Sequence, residues 1–215
     1  MTRRPALVIF DCDGVLIDSE GPAARLTAQC VTEQGWPMTP GEAQRQFMGL
    51  RIADMPAMVE RHTGRATPPG WVDSVRARLI AVLKTESALI PGAREAIEAV
   101  VKAGLPFRIA SNSGHDEMRV KFAQTGLASL VTGRVHSARD VAAGKPAPDV
   151  FLAAARAESV LPADCLVIED SVPGVRAAVA AGMIVLGLDR HGDGAALKAV
   201  GAMPIASLAE LMRHL

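Results

Sequence analysis

The sequence predicts an α/β protein: a doubly wound parallel sheet with a helical segment inserted after its first strand. Three observations lead there. Short, wholly apolar runs stop abruptly at polar residues, as strands buried on both faces do. Ala-rich amphipathic stretches closed by glycine alternate with those runs. One segment, from about Ser19 to Ser87, carries helical patterns alone.

In chain order, Leu7-Val8-Ile9-Phe10 is the first strand and stops at Asp11. The insert follows, with helices expected over Ala23 to Gln34, Gly41 to Met48 and Trp71 to Thr85, punctuated by Pro37, Pro40, Pro56, Pro68 and Pro69. Proline has no amide donor, so Pro56 marks a helix start or a kink rather than a helix interior. The sheet resumes near Leu89. Pro91 to Ala103 predicts a helix, Phe107 to Ala110 a strand stopping at Ser111, and Glu117 to Gln124 a helix. Leu130-Val131 and Val135 suggest a weaker strand. Cys165 to Ile168 is a strand stopping at Glu169, Val175 to Ala181 a helix, Met183 to Leu188 a strand stopping at Asp189, and Met203 to Ile205 a short last strand. Alternation of this kind implies right-handed crossovers.

The 215 residues suit one core domain with a modest insert, and 49% apolar content is ample for a buried core. Basic and acidic residues balance at 23 each, leaving no global field to attract nucleic acid or anionic lipid. Aromatic residues make up 3% and tyrosine is absent, which also weakens a base-stacking surface. No apolar run approaches the roughly 20 residues that cross a bilayer. Met1-Thr2-Arg3-Arg4-Pro5 leads into too few apolar residues for a signal peptide. Cys12, Cys30 and Cys165 have no disulfide-framework spacing. The expectation is a cytoplasmic monomer with no nucleic-acid or membrane partner.

In open parallel sheets, ligands bind beyond the carboxyl ends of the strands. Four polar clusters sit at such ends or in the loops between them. Asp11-Cys12-Asp13-Gly14 places two carboxylates directly after a buried strand, where desolvation is costly unless a cation or ligand compensates. Val15 stands where a calcium loop needs an oxygen ligand, so an EF-hand is excluded. Glu169-Asp170 forms a second acidic pair at a strand end. Two such pairs repel one another without a metal, and hard oxygen ligands in small number suit Mg²⁺. Ser111-Asn112-Ser113-Gly114 offers hydroxyls and free amides before a helix, a seat for phosphate. Lys145, in Gly144-Lys145-Pro146, is placed to neutralise a phosphate oxygen and the carboxylates.

With these residues in view, the chain resembles the haloacid dehalogenase superfamily of phosphohydrolases, in the branch of β-phosphoglucomutase and sugar-phosphate phosphatases. Asp11-x-Asp13-Gly14-Val15-Leu16-x-Asp18-Ser19-Glu20 looks like its first motif. Ser111-Asn112, Gly144-Lys145-Pro146-x-Pro148-Asp149 and Glu169-Asp170-Ser171-x-x-Gly174 look like the second, third and fourth, in the right order. The resemblance implies a Rossmann-like core over residues 1–18 and 87–215, a helical cap over 19–86, and hinges near Asp18 and Ser87. It implies a Mg²⁺-dependent phosphatase of a small phosphorylated metabolite, of the sugar-phosphate class. Asp11 would be the nucleophile and Asp13 the proton donor and acceptor, with Ser111 and Lys145 holding the phosphoryl group. Asp11, the main-chain oxygen of Asp13, Asp170 and Glu169 would hold the metal.

Within that superfamily, an acid at position 13 points to a phosphate ester rather than a halide or phosphonate. A phosphomutase of the β-phosphoglucomutase type is the alternative, but the position of its cap histidine is here Ala23. A catalytically inactive binding module on the same fold is a further alternative. Cys12 has no arginine six residues on, which excludes a cysteine phosphatase, and no Gly-x-Gly-x-x-Gly follows strand one. Candidate substrate contacts are Ser111, Asn112 and Lys145 in the core, with Glu20, Gly49 and Arg51 from the cap side. Arg51 reads equally as a surface arginine and Glu20 as a helix-start residue. His115 opens a helix, read as a solvated first-turn residue with an approach to the leaving group as the alternative; Asp18 orients the turn, and Asp149 starts a helix after Pro148 with a secondary role in orienting Lys145.

Overall fold

The computed structural model describes residues 4–47, 50–192 and 194–215. Its main sheet has six strands: β1 (Leu7–Phe10), β4 (Phe107–Ser111), β5 (Val135–Ser137), β6 (Cys165–Glu169), β7 (Ile184–Leu188) and β8 (Met203–Ile205). A separate two-stranded ribbon pairs β2 (Ile17–Asp18) antiparallel to β3 (Ala88–Leu89). The main order is β5-β4-β1-β6-β7-β8, and every pairing in it is parallel. The predicted α/β fold with a doubly wound parallel sheet is the one observed.

Strand β1 lies in the middle, with Val8 opposite Phe107 on one side and Leu166 on the other. Its four side chains are all fully buried, because helices cover both faces. Val8 and Phe10 point into a cluster with Ile97, Phe107, Ile109, Met118 and Ile168. Leu7 and Ile9 point the other way, among Phe151, Ala154, Val167, Val175 and Ala178. The alternation of a strand is thus intact, but both faces are apolar.

The insert holds α1 (Glu20–Glu33), α2 (Pro40–Phe47), α3 (Met55–Thr63) and α4 (Trp71–Glu86). Leu26, Val31, Phe47, Val59, Trp71 and Val75 give these helices an apolar cluster of their own. Pro56 stands in the first turn of α3, where a missing amide costs no helical hydrogen bond. The core then continues with α5 (Ala93–Lys102), α6 (His115–Gln124), α7 (Ala128–Val131), α8 (Asp149–Ala157), α9 (Val172–Ala180) and α10 (Ala195–Ala199). The α5 and α6 side chains enter one cluster, and those of α8, α9 and α10 the other.

Several expectations shift. The sheet does not resume near Leu89, which lies in the separate ribbon, and α1 starts at Glu20 rather than Ala23. Leu130 and Val131 belong to the single-turn helix α7, and the strand begins only at Val135, after a turn at Gly133 with φ of 74°. Helix α9 starts at Val172 rather than Val175, since Ser171 caps it by accepting from the Gly174 amide at 3.1 Å and Pro173 suits the first turn. Among the described residues no helix is long and apolar enough to cross a membrane.

One helix tests the packing. Ile97 and Val101 share α5, yet Ile97 is fully buried and Val101 is 54% exposed. In urea melts Ile97→Ala is expected to cost about 2–5 kcal/mol, and Val101→Ala to fall within about 0.5 kcal/mol of wild type. Equal effects would contradict the way α5 faces the sheet.

Candidate active site

The carboxyl ends of β1, β4 and β6 bring three of the polar clusters together, and the loop before α8 brings the fourth. Asp11 follows β1 and is 6% exposed. Lys145 reaches it from the loop before α8, with Nζ 2.5 Å from Asp11 Oδ1, 2.8 Å from Glu169 Oε1 and 2.9 Å from the Ala110 carbonyl. The same ammonium lies 4.6 Å from the centre of the Phe151 ring. Asn112 holds the Lys145 main chain, accepting its amide at 2.9 Å and donating to its carbonyl at 3.3 Å. Asn112, expected to touch substrate, therefore spends both ends of its amide on positioning Lys145.

Glu169 is nearly inaccessible, and both its oxygens meet protein donors. Oε1 takes Lys145, while Oε2 takes the amide and hydroxyl of Ser171 at 2.8 and 2.9 Å. Of the four expected metal ligands, Glu169 is thus the one least free to reach an ion. Asp170 is the opposite case: among the described residues no hydrogen-bond donor meets its carboxylate. Two glycines make room for this pair. A Cβ at Gly174 would overlap the Glu169 carboxylate, and one at Gly14, which also has φ of 80°, would overlap that of Asp170.

Asp13 is held on a separate network. Lys121 Nζ lies 2.6 Å from Oδ1, the Ser113 hydroxyl donates to Oδ2 at 2.8 Å, and Ser19 donates to Oδ1. Lys121 also meets Ser113 Oγ at 2.9 Å, and Ser111 Oγ is 3.5 Å from Asp13 Oδ2. Sequence reasoning missed Lys121. The signal was a lysine on the same side of α6 as Met118 and Phe122, three positions after one and next to the other, in a helix otherwise read by its apolar residues alone.

The two halves differ electrostatically. Burial pushes the Asp11 carboxyl up; Lys145 pulls it back in part, Glu169 and Asp13 push further, and it stands at about 7. Burial, then Glu169, Asp11 and Glu20, hold Asp170 well above the usual carboxylate range. Burial also acts to raise Asp13, but Lys121 and the hydrogen bonds from Lys121, Ser19 and Ser113 outweigh it, so Asp13 lies below its ordinary value. Burial opposes charge on Lys121 and Lys145, yet the facing carboxylates raise both.

Four carboxylates, Asp11, Asp13, Glu169 and Asp170, face two ammonium groups, Lys121 and Lys145, so the fully ionised site carries two negative charges in excess. That excess and the undonated Asp170 carboxylate fit a divalent cation. Among the described residues no three Asp, Glu, His or Cys side chains are gathered closely enough to cage one. An ion here would complete its shell with main-chain, water and substrate oxygens, which is the habit of Mg²⁺ and not of a structural zinc.

The cap-side candidates are less engaged. Glu20 opens α1 and accepts from Gln44 Nε2 at 3.1 Å; burial and then Asp13 raise its carboxyl. Arg51 is 75% exposed and paired with Asp54, through Nε at 2.7 Å and a terminal nitrogen at 3.0 Å. Gly49 lies outside the described residues. His115 is solvated and meets Asp140 at 2.7 Å.

Comparison with known proteins agrees with this geometry. A family model described as haloacid dehalogenase-like hydrolase matches residues 5–182. A Drosophila melanogaster protein named as a probable pseudouridine-5'-phosphatase is 35% identical over 86% of this chain and 81% of its own. The β-phosphoglucomutase of Mycobacterium bovis is 30% identical over 95% of this chain and 90% of its own. The crystal structure of a HAD family hydrolase from Deinococcus radiodurans, with bound phosphate and sodium, superposes with a TM-score of 0.78 at 34% identity, covering 97% of this chain and 93% of that one. A family match over most of the length places this chain among the haloacid dehalogenase-like hydrolases.

Proposed function

We propose that the chain is a Mg²⁺-dependent phosphoric monoester hydrolase acting on a small phosphorylated metabolite, with Asp11 as nucleophile. One observation carries the reading: a buried carboxylate pair bridged by Lys145, beside an undonated Asp170, in a site with two negative charges in excess. The relatives' names, a pseudouridine-5'-phosphatase and a β-phosphoglucomutase, support a phosphorylated sugar or sugar-containing metabolite.

Asp11, Asp170 and the main-chain oxygen of Asp13 would hold the ion, with Glu169 acting through Lys145. Mg²⁺, when bound, supplies charge neutralisation and a fixed place for a phosphoryl oxygen. Lys145 orients the Asp11 carboxylate and, with Ser111, meets the transferring phosphoryl group, where electrostatic stabilisation dominates the barrier. Asp11 attacks phosphorus, the ester bond breaks, and the leaving oxygen takes a proton from Asp13, leaving an acyl phosphate on Asp11. Asp13, now ionised, takes a proton from the water that attacks phosphorus, and phosphate departs from a restored Asp11. The ion pair of Asp13 with Lys121 suits the second step, whereas the dianion of an arriving substrate favours the proton needed in the first.

Residues 19–86 would serve as a lid over the carboxyl edge, hinged at the ribbon of β2 and β3 and excluding bulk water when closed. Hydrolysis is favoured over phosphomutase chemistry because Ala23 can neither donate nor accept a proton. The retained reactive groups favour an enzyme over an inactive module.

Asp11→Asn is expected to abolish Mg²⁺-dependent release of phosphate from p-nitrophenyl phosphate in a protein that still folds and melts cooperatively. Turnover near wild type would remove Asp11 as nucleophile.

Protons and the ion compete for the site. Asp11 moves from 3.8 to about 7 on folding without metal, so between those values the metal-free folded state binds a proton that the unfolded state lacks. Its stability falls as pH rises through that window, and Mg²⁺, which needs the ionised form, recovers it. The thermal shift on adding Mg²⁺ is therefore expected to be larger at pH 8 than at pH 6, and half-saturating Mg²⁺ for turnover to rise as pH falls. A shift independent of pH would contradict the assignment of Asp11 as a ligand.

A further inference from the structure

Of the two lysines buried in the site, Lys121 meets neither the nucleophile nor the phosphoryl group in the reaction outlined above. It projects from the middle of α6 and is 3% exposed. Its neighbours on that side, Met118 and Phe122, are buried in the core. A lysine in such a place loses hydration that only a fixed anion offsets. That anion is Asp13, 2.6 Å from Nζ, and Ser113 joins the two by accepting from Lys121 at 2.9 Å and donating to Asp13 at 2.8 Å.

The bonds come from separate places in the chain. Lys121 belongs to α6, Ser113 to the loop before it, and Ser19 to the start of the insert. Together they occupy both carboxylate oxygens and remove the side chain's torsional freedom. A proton donor acts only within hydrogen-bond reach of the atom it protonates, and an error of about an ångström in such a group is costly.

We propose that Lys121, assisted by Ser113, is a positioning residue that fixes the Asp13 carboxylate for proton transfer to the leaving oxygen. The inference rests on the reading of Asp13 as proton donor and adds the group that aims it. A purely structural lysine, or one that binds the phosphoryl group, would affect all phosphate esters alike. A lysine that aims the proton donor affects esters in proportion to their need for a proton.

Two substrates of similar shape separate these roles. p-Nitrophenyl phosphate releases a weakly basic anion that needs little protonation, whereas phenyl phosphate releases a more basic phenoxide that needs it. The ratio of kcat/KM for the two is measured with saturating Mg²⁺ in wild type, Asp13→Asn, Lys121→Met, Lys121→Arg and Ser113→Ala, each checked by thermal melting. Asp13→Asn should widen the ratio by about 10²-fold or more, since general acids contribute about 10²–10⁴-fold. Lys121→Met should widen it about tenfold through kcat on phenyl phosphate, Ser113→Ala less but in the same direction, and Lys121→Arg should recover part of the loss. An unchanged ratio in Asp13→Asn would sink the proton-donor reading itself. A wide ratio in Asp13→Asn, with both esters slowed equally in Lys121→Met and Ser113→Ala, would overturn the positioning role alone. If Lys121→Met does not fold, Ser113→Ala, which removes two hydrogen bonds but leaves the Lys121–Asp13 pair in place, decides the matter, and an unchanged ratio there overturns the proposal.

Discussion

The Lys145 ammonium lies between two buried carboxylates, Asp11 at 2.5 Å and Glu169 at 2.8 Å, and that half of the site is arranged around the contact. Charges this deep are tolerated only in company, and removing one partner from such a set costs about 3–5 kcal/mol because the other is left uncompensated. The contact joins the ends of β1 and β6 to the loop before α8, and the Ala110 carbonyl adds β4. Asn112 holds the lysine's main chain and Ser171 holds the far side of Glu169, so Asp11 is oriented through groups that do not touch it.

Carboxylates of similar intrinsic acidity are thereby pushed in opposite directions. Asp11 and Asp170 share a region where burial and like charge outweigh the single lysine, and both are pushed up. Asp13, two residues from Asp11, has a lysine and two hydroxyls to itself and is pushed down. Environments that drive neighbouring titratable groups apart are how acid and base roles are assigned within one site. Two lysines face four acids, and without an ion the excess is relieved by the raised Asp11 and Asp170.

Much of this was legible in the sequence. Apolar runs ending at Asp11, Ser111, Glu169 and Asp189 located strands β1, β4, β6 and β7, because a strand buried on both faces has no polar position until it emerges. The same stops located most of the site. Less visible were roles fixed by long-range packing. That Asn112 grips Lys145 rather than facing outward depends on a contact between residues 33 apart. Lys121 went unread because helical periodicity weighs apolar residues, and a buried lysine is apparent only once its anion is in place. Leu130-Val131 read as a strand because two apolar residues fit either period, and a one-turn helix leaves too short a pattern to choose.

The ribbon of β2 and β3 sets Ile17 against Leu89 and Asp18 against Ala88, so the chain departs from the core and rejoins it at the same spot. The six-stranded sheet is indifferent to what is spliced between those points. The junction is nonetheless tied to the acidic cluster, since Ser19 at the start of the insert donates to Asp13. Whatever helices fill the insert, its first residue is therefore held in place by what it must reach.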